Sequence, residues 1–137
     1  MIKIRKYRPE DKHGVIRVWK ENFNYTAAYS DPEKSLKQKL RQKDGLLFVA
    51  DDGGEVAGAI MAGYDGHRGW IYSLAVNKGL RNKGLGSSLL KYAENELIKL
   101  GAPKIKLQVM ISNKKTAGFY RKHGYEIEEV ISMGKKV

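Results

Sequence analysis

One stretch constrains this chain more than any other: Val76-Asn77-Lys78-Gly79-Leu80-Arg81-Asn82-Lys83-Gly84-Leu85-Gly86-Ser87-Ser88-Leu89-Leu90. An apolar strand over 70–76 runs into a basic, glycine-rich turn, and the turn opens directly into a helix. Leu85, Leu89, Ala93 and Leu97 recur at a spacing of four, which predicts a helix over 84–100, ended by Gly101 and Pro103. Glycines remove side chains, so several backbone N–H groups can converge on one concavity. The helix start adds unpaired N–H groups and the positive end of its dipole. Such a turn is an anion site, and a pyrophosphate suits its size and charge.

Two phosphate-binding motifs are excluded here. Gly79 to Gly84 has the outer spacing of a P-loop, but Leu85 and Gly86 stand where a lysine and a hydroxyl residue are required. Nothing then remains to reach a γ-phosphate or magnesium. A dinucleotide fold needs Gly-x-Gly-x-x-Gly early in a β-α-β unit, whereas these glycines are spaced differently and lie mid-chain. A plain strand-to-helix turn would explain Gly84-Leu85-Gly86 alone. It does not explain the basic residues beside them.

The rest of the chain predicts a mixed α/β domain. Residues 2–7 read as a first strand, and Arg8-Pro9-Glu10-Asp11 opens a helix with Val15, Ile16, Val18 and Trp19 as its apolar stripe. Residues 22–30 read as a loop, and a Lys-rich helix follows over 31–43. Strands are predicted over 46–50 and 56–64, joined by a turn at Asp52-Gly53-Gly54. The second of these is rich in Ala and Gly, so a backbone or helix should pack close to it. A turn over 65–69 leads to the strand 70–76. A further strand is expected over 104–110, a short helix capped by Ser112 or Asn113 up to Lys122, and extended chain over 125–137 as one bent strand or two. The order β-α-α-β-β-β-α-β-α-β implies a mixed sheet with helices on both faces.

Composition narrows the classes. The chain has 137 residues, the size of one domain, taken as 1–137. It has no cysteine, which excludes disulfides, thiolate nucleophiles and cysteine metal sites. His13, His67 and His123 are scattered without ligand spacing, so no metal site is expected. No run of eighteen apolar residues exists, and the charged start lacks a signal-peptide core, so a cytoplasmic location without membrane contact is expected. The net charge of +11 attracts anions of many kinds and selects none of them.

At this point the chain resembles the GNAT superfamily of N-acetyltransferases. Arg81-Asn82-Lys83-Gly84-Leu85-Gly86 matches that family's Arg/Gln-x-x-Gly-x-Gly/Ala signature. Asn113, Tyr120, Gly124 and Tyr125 stand in the register of its second signature, an Asn followed seven residues later by Tyr and then by Gly-Phe/Tyr. Two motifs in order make the signal specific, and the resemblance covers essentially the whole chain. Gly63-Tyr64-Asp65-Gly66-His67-Arg68-Gly69 is similar to the bacterial YpeA-like subgroup.

The resemblance implies a mostly antiparallel sheet, splayed between two parallel strands and flanked by about four helices. It implies acetyl-CoA as cosubstrate, lying between the strands 70–76 and 104–110, and transfer to a primary amine of a small molecule or a protein by direct attack. The backbone from Leu74 through Ala75 to Val76 would pair with the pantetheine arm. The amides of Arg81, Asn82, Lys83, Gly84, Leu85, Gly86 and Ser87 would hold the pyrophosphate. Asn113 would contact the pantetheine or adenine side, with Lys114, Lys115 or Arg121 near the 3′-phosphate. Tyr120 would be the general acid for the departing thiolate; its plain alternative is a core aromatic beside Phe119.

No Glu stands on the strand 70–76, where many relatives carry the general base. Tyr72 and Ser73 are its polar side chains, and Asp65 or His67 at the adjacent turn would have to act through water. Trp19, Asn22, Tyr25, Tyr29 and Asp31 flank the expected acceptor entrance, although Trp19 reads better as core and Asp31 as a helix cap. Two readings of another class compete: an acyl-CoA-binding sensor without catalysis, which the presence of Tyr120 opposes, and a basic nucleic-acid module, which lacks a reading motif. A toxin acetylating charged tRNA is permitted by the charge alone. A homodimer is left open.

Overall fold

The computed structural model describes residues 1–23 and 31–137. The chain forms two compact units, Met1–Leu107 and Gln108–Val137.

In the first unit, β1 (Ile2–Lys6) leads through a 3₁₀ turn at Pro9–Asp11 into α1 (Lys12–Asn22). Next come α2 (Pro32–Arg41), β2 (Leu47–Asp52), β3 (Glu55–Tyr64), β4 (Gly69–Val76), α3 (Leu85–Lys99) and β5 (Ile105–Lys106). The strands form one sheet in the order β1-β2-β3-β4-β5. The first four run antiparallel to their neighbours, and β5 runs parallel to β4. This is the mixed sheet expected, with a single parallel pair at its edge.

Strand alternation sorts the core onto two faces. Leu47, Val49, Val56, Ala59, Met61 and Ala75 pack with Val15, Val18 and Trp19 of α1 and Leu36 of α2. On the other face α3 lies over β2, β3 and β4 with Leu85, Leu89, Leu90, Ala93 and Leu97 buried. Phe48 meets Tyr92 of α3 edge-on at 5.1 Å. Each large side chain fully buried this way contributes about 2 kcal/mol.

The small residues of β3 are explained by these two helices. A Cβ at Gly58 would lie 2.9 Å from both the Ala75 carbonyl oxygen and Leu89 Cδ1. From the opposite side, Gly14 of α1 lies so close to β3 that a Cβ there would be 2.6 Å from Val56 Cβ. The turn between β2 and β3 uses Gly53 and Gly54 at φ +61° and +100°, values that other residues adopt at a cost.

One polar cluster is built into this framework. Asp11, buried at the start of α1, accepts from Arg5 Nη1 at 2.8 Å and Nη2 at 3.0 Å, and from the Arg8 amide at 2.8 Å. Arg5 Nε also donates to Asp51 at 3.0 Å. β1, the 3₁₀ turn and the end of β2 are thereby joined.

In the second unit, α4 (Lys114–Lys122) is capped by Asn113, whose side chain accepts from the Thr116 amide at 3.2 Å. Gly124 follows at φ +89°.

The structure corrects five of the sequence expectations. The helix opened by Pro9 is a 3₁₀ turn before α1, and α1 extends through Asn22 rather than ceding it to a loop. α2 stops at Arg41, and Lys43 takes φ +50°. The strand expected over 104–110 is reduced to two residues, because its ladder with β4 covers only Gly69–Ile105 and Trp70–Lys106. Residues 125–137 join no ladder, and Ile127, Val130, Ile131 and Met133 are exposed. Apolar, β-prone sequence becomes a strand only where a neighbour accepts its N–H and C=O groups.

Candidate active site

β4 changes character halfway along. Met61 pairs with Tyr72, but the next pair toward the end of β4 is Ala59 with Ala75. Ser73 and Leu74 therefore face Ile60 alone, which is a β-bulge. Ser73 takes φ +50°, left-handed for a residue that is not glycine. A bulge bends its strand and leaves an extra residue outside the ladder. The pairing with β5 has already ended at Trp70, so no β5 residue pairs with Ile71 through Val76.

α1 holds this irregular segment from one side. Trp19 is fully buried, as its core reading requires, yet its Nε1 donates to the Ser73 carbonyl at 3.1 Å. Asn22 Nδ2 donates to the Val76 carbonyl at 3.1 Å.

The loop after β4 is organised locally. Asn77 Oδ1 accepts from the Gly79 amide at 3.2 Å, and its carbonyl accepts from the Leu80 amide at 2.9 Å. Arg81 is extended, and Asn82 and Gly84 are left-handed at φ +64° and +82°. Alternating handedness of this kind turns successive N–H groups toward one side. α3 begins at Leu85 behind left-handed Gly84, which supplies no side-chain cap. Lys78, Arg81 and Lys83 join no ion pair among the described residues. On the β1 side, Ile2, Ile4, Leu80, Lys83, Leu85, Ser88 and Tyr92 line an open concavity of about 510 Å³.

In the second unit, Tyr120 is the buried residue of α4, two turns after Asn113 on the same side of the helix. Its ring meets Phe119 and Tyr125 edge-on at 5.1 and 5.6 Å. Burial pushes its pKa up to about 12, so the phenol keeps its proton at neutral pH.

The Acetyltransferase (GNAT) family profile matches residues 13–125. The chain belongs to this family. As a GNAT acetyltransferase it transfers acetyl from acetyl-CoA to an amine. Solved structures share its fold. Ard1 from Thermoplasma volcanium is 23% identical, with a TM-score of 0.81 over 93% of this chain and 84% of that one. The PaiA N-acetyltransferase from Thermoplasma acidophilum, solved in complex with coenzyme A, is 22% identical, with a TM-score of 0.80 over 96% and 93%. Glucosamine-6-phosphate N-acetyltransferase from Arabidopsis thaliana is 22% identical, with a TM-score of 0.71 over 99% and 98%.

In this GNAT chain the residues expected to hold acetyl-CoA divide between the units. Leu74, Ala75, Val76 and Arg81 through Ser87 form one continuous strand, loop and helix start in the first. Asn113 and Tyr120 lie on α4 in the second. Asp31 is the cap of α2, accepting from the Glu33 amide at 2.9 Å. Tyr25 and Tyr29 fall outside the described residues. Asp65 is occupied by its own turn: Oδ1 accepts from the His67 and Arg68 amides at 2.8 and 2.7 Å, and Oδ2 from Trp70 Nε1 at 3.3 Å. Those bonds, the Arg68 amide first, hold its pKa below the usual carboxylate range. A carboxylate so engaged is a poor proton acceptor.

The sequence reading missed the bulge at Ser73 and the polar role of Trp19 and Asn22. A left-handed serine has no sequence signature. The Trp-x-x-Asn spacing, one helical turn, was the available signal.

Among the described residues, no three His, Cys, Asp or Glu side chains group as a metal site, and no helix is long and apolar enough to cross a membrane.

Proposed function

We propose that the edge of β4, the loop 77–84 and the first turn of α3 hold acetyl-CoA, and that Tyr120 is the general acid of a direct transfer to a primary amine. The observation that carries the reading is the loop: left-handed Asn82 and Gly84, a helix start at Leu85 without a side-chain cap, and Lys78 and Lys83, which join no ion pair among the described residues. This donor set fits a pyrophosphate in both charge and chemistry. Open space at Gly84, where a Cβ would meet nothing within 4 Å, leaves the loop backbone accessible.

The backbone of Leu74, Ala75 and Val76 takes the pantetheine amides, and the amides from Arg81 to Ser87 take the pyrophosphate. Asn113 and a basic side chain among Lys114, Lys115 and Arg121 complete the cofactor contacts. Bound acetyl-CoA supplies an activated thioester. A backbone N–H at the Ser73–Leu74 bulge would serve the thioester oxygen as a donor, stabilising developing negative charge. As the C–N bond forms and the C–S bond breaks, Tyr120 would give its phenolic proton to the leaving thiolate, and the proton released from the acylated nitrogen would return to the phenolate through water. Such assistance is worth about 10²–10⁴-fold. With Asp65 engaged in its turn, the acceptor amine loses its proton to water or arrives neutral. The acceptor is a small molecule or a peptide. Both units serve one acetyltransferase domain, acting in the cytoplasm and related to the YpeA-like subgroup through its 63–69 segment.

Calorimetry with acetyl-CoA, using CoA and ATP as controls, tests the reading. Selective binding that Gly84→Asp abolishes is expected. A folded protein that does not bind acetyl-CoA overturns it.

A further inference from the structure

Asn22 uses every hydrogen-bonding group of its side chain. Nδ2 donates to the carbonyls of Val18 and Val76 at 2.8 and 3.1 Å, and Oδ1 accepts from Arg81 Nη2 at 2.6 Å. One neutral amide therefore ties together the last turn of α1, the end of β4 and the loop that follows. One helical turn earlier, Trp19 holds the Ser73 carbonyl. α1 thus grips β4 at the bulge and at the strand's end, and extends that grip to the loop through Arg81.

The Arg81–Asn22 bond is short and involves a charged donor, the stronger kind of side-chain hydrogen bond. It spans 59 positions of sequence. Arg81 is extended and lies between the 3₁₀ turn at Lys78–Leu80 and left-handed Asn82, the point from which the loop amides take their direction. Lys78 and Lys83 remain on either side to supply charge. We infer that Arg81 is a positioning residue: its guanidinium is anchored through Asn22 to the end of β4, and so aims the amides that follow instead of binding phosphate itself. This rests on the assignment of the loop to acetyl-CoA. Preorganisation of this kind raises affinity by lowering the ordering cost of binding.

A double-mutant cycle on acetyl-CoA affinity, read by calorimetry, decides the matter. Asn22→Ala and Arg81→Ala should each weaken binding about three- to tenfold, and the double variant no more than the weaker single variant. If the double variant falls more than about threefold below that single variant, or if either single change has less than about a twofold effect, the inference is overturned. Salt gives a second readout. At about 0.5 M salt the loss in Arg81→Ala should persist, whereas the loss of a direct phosphate contact would shrink toward nothing. Without any ligand, the Asn22 side-chain amide signals in NMR should shift in Arg81→Ala. That arm needs no Asn22 variant, and unmoved signals would remove the link. Wild-type protein that fails to bind acetyl-CoA ends the loop assignment and this inference together, while binding with independent losses ends only the inference.

Discussion

The Trp19 indole N–H and the Ser73 carbonyl oxygen meet at 3.1 Å, joining the buried face of α1 to the only left-handed residue of β4 among those described. A buried indole N–H requires a partner, and a left-handed serine requires support from its surroundings. Each answers the other's need. Trp19→Phe keeps most of the apolar bulk and removes the donor. It should cost about 1–2 kcal/mol of stability and lower kcat more than it raises KM for acetyl-CoA. Thermal denaturation and steady-state kinetics check this, and unchanged kcat would separate the bulge from catalysis.

Gly58 and Gly14 mark the closest approach of the two helix layers to β3. Gly58→Ala would push a Cβ against the Ala75 carbonyl and Leu89, and Gly14→Ala against Val56. Overpacking of this kind costs about 1–3 kcal/mol. Gly58→Ala should be the worse of the two for activity, since the backbone it displaces belongs to β4. Urea melts together with acetyl-CoA affinity test the order.

Asp11 gives the acid side of the stability profile. Its hydrogen bonds from Arg5, against the opposing effect of burial, hold its pKa below the ordinary carboxylate value. A depressed carboxylate contributes stability above its unfolded pKa of about 3.9, and this is lost as pH falls through the folded value. Asp11→Asn should therefore cost about 3 kcal/mol at neutral pH. Below pH ~4 its melting temperature should converge on that of the wild type. Parallel curves down to pH ~2 would sink the assignment.

Tyr120 bears on the alkaline side. With its pKa pushed up to about 12 by burial, the phenol remains a proton donor across the working range. No fall in kcat below about pH 10 should come from its ionisation. Tyr120→Phe should lower kcat at least about tenfold with little change in acetyl-CoA affinity, and an equal loss of both would refute the acid role.

Much of the framework was legible in local sequence. The four-residue spacing from Leu85 to Leu97 marked α3, because a helix buries one stripe of its surface. Gly53-Gly54 marked the hairpin, because its turn needs positive φ. The Ala and Gly content of β3 anticipated the approach of Leu89 to Gly58. The length of β5 and the state of residues 125–137 were not legible, since a strand depends on a partner that local sequence does not name.

For the proposed site, residue type and spacing gave the basic, glycine-rich turn before α3, and the family signature gave Asn113 and Tyr120 seven residues apart. The bulge of β4 at Ser73, the capture of Asp65 by its own turn and the link from Val76 to Arg81 through Asn22 emerge from the folded chain. Each of these depends on a hydrogen bond or backbone angle set by which groups the fold brings together, and hydrogen bonds between distant residues leave no period in a sequence.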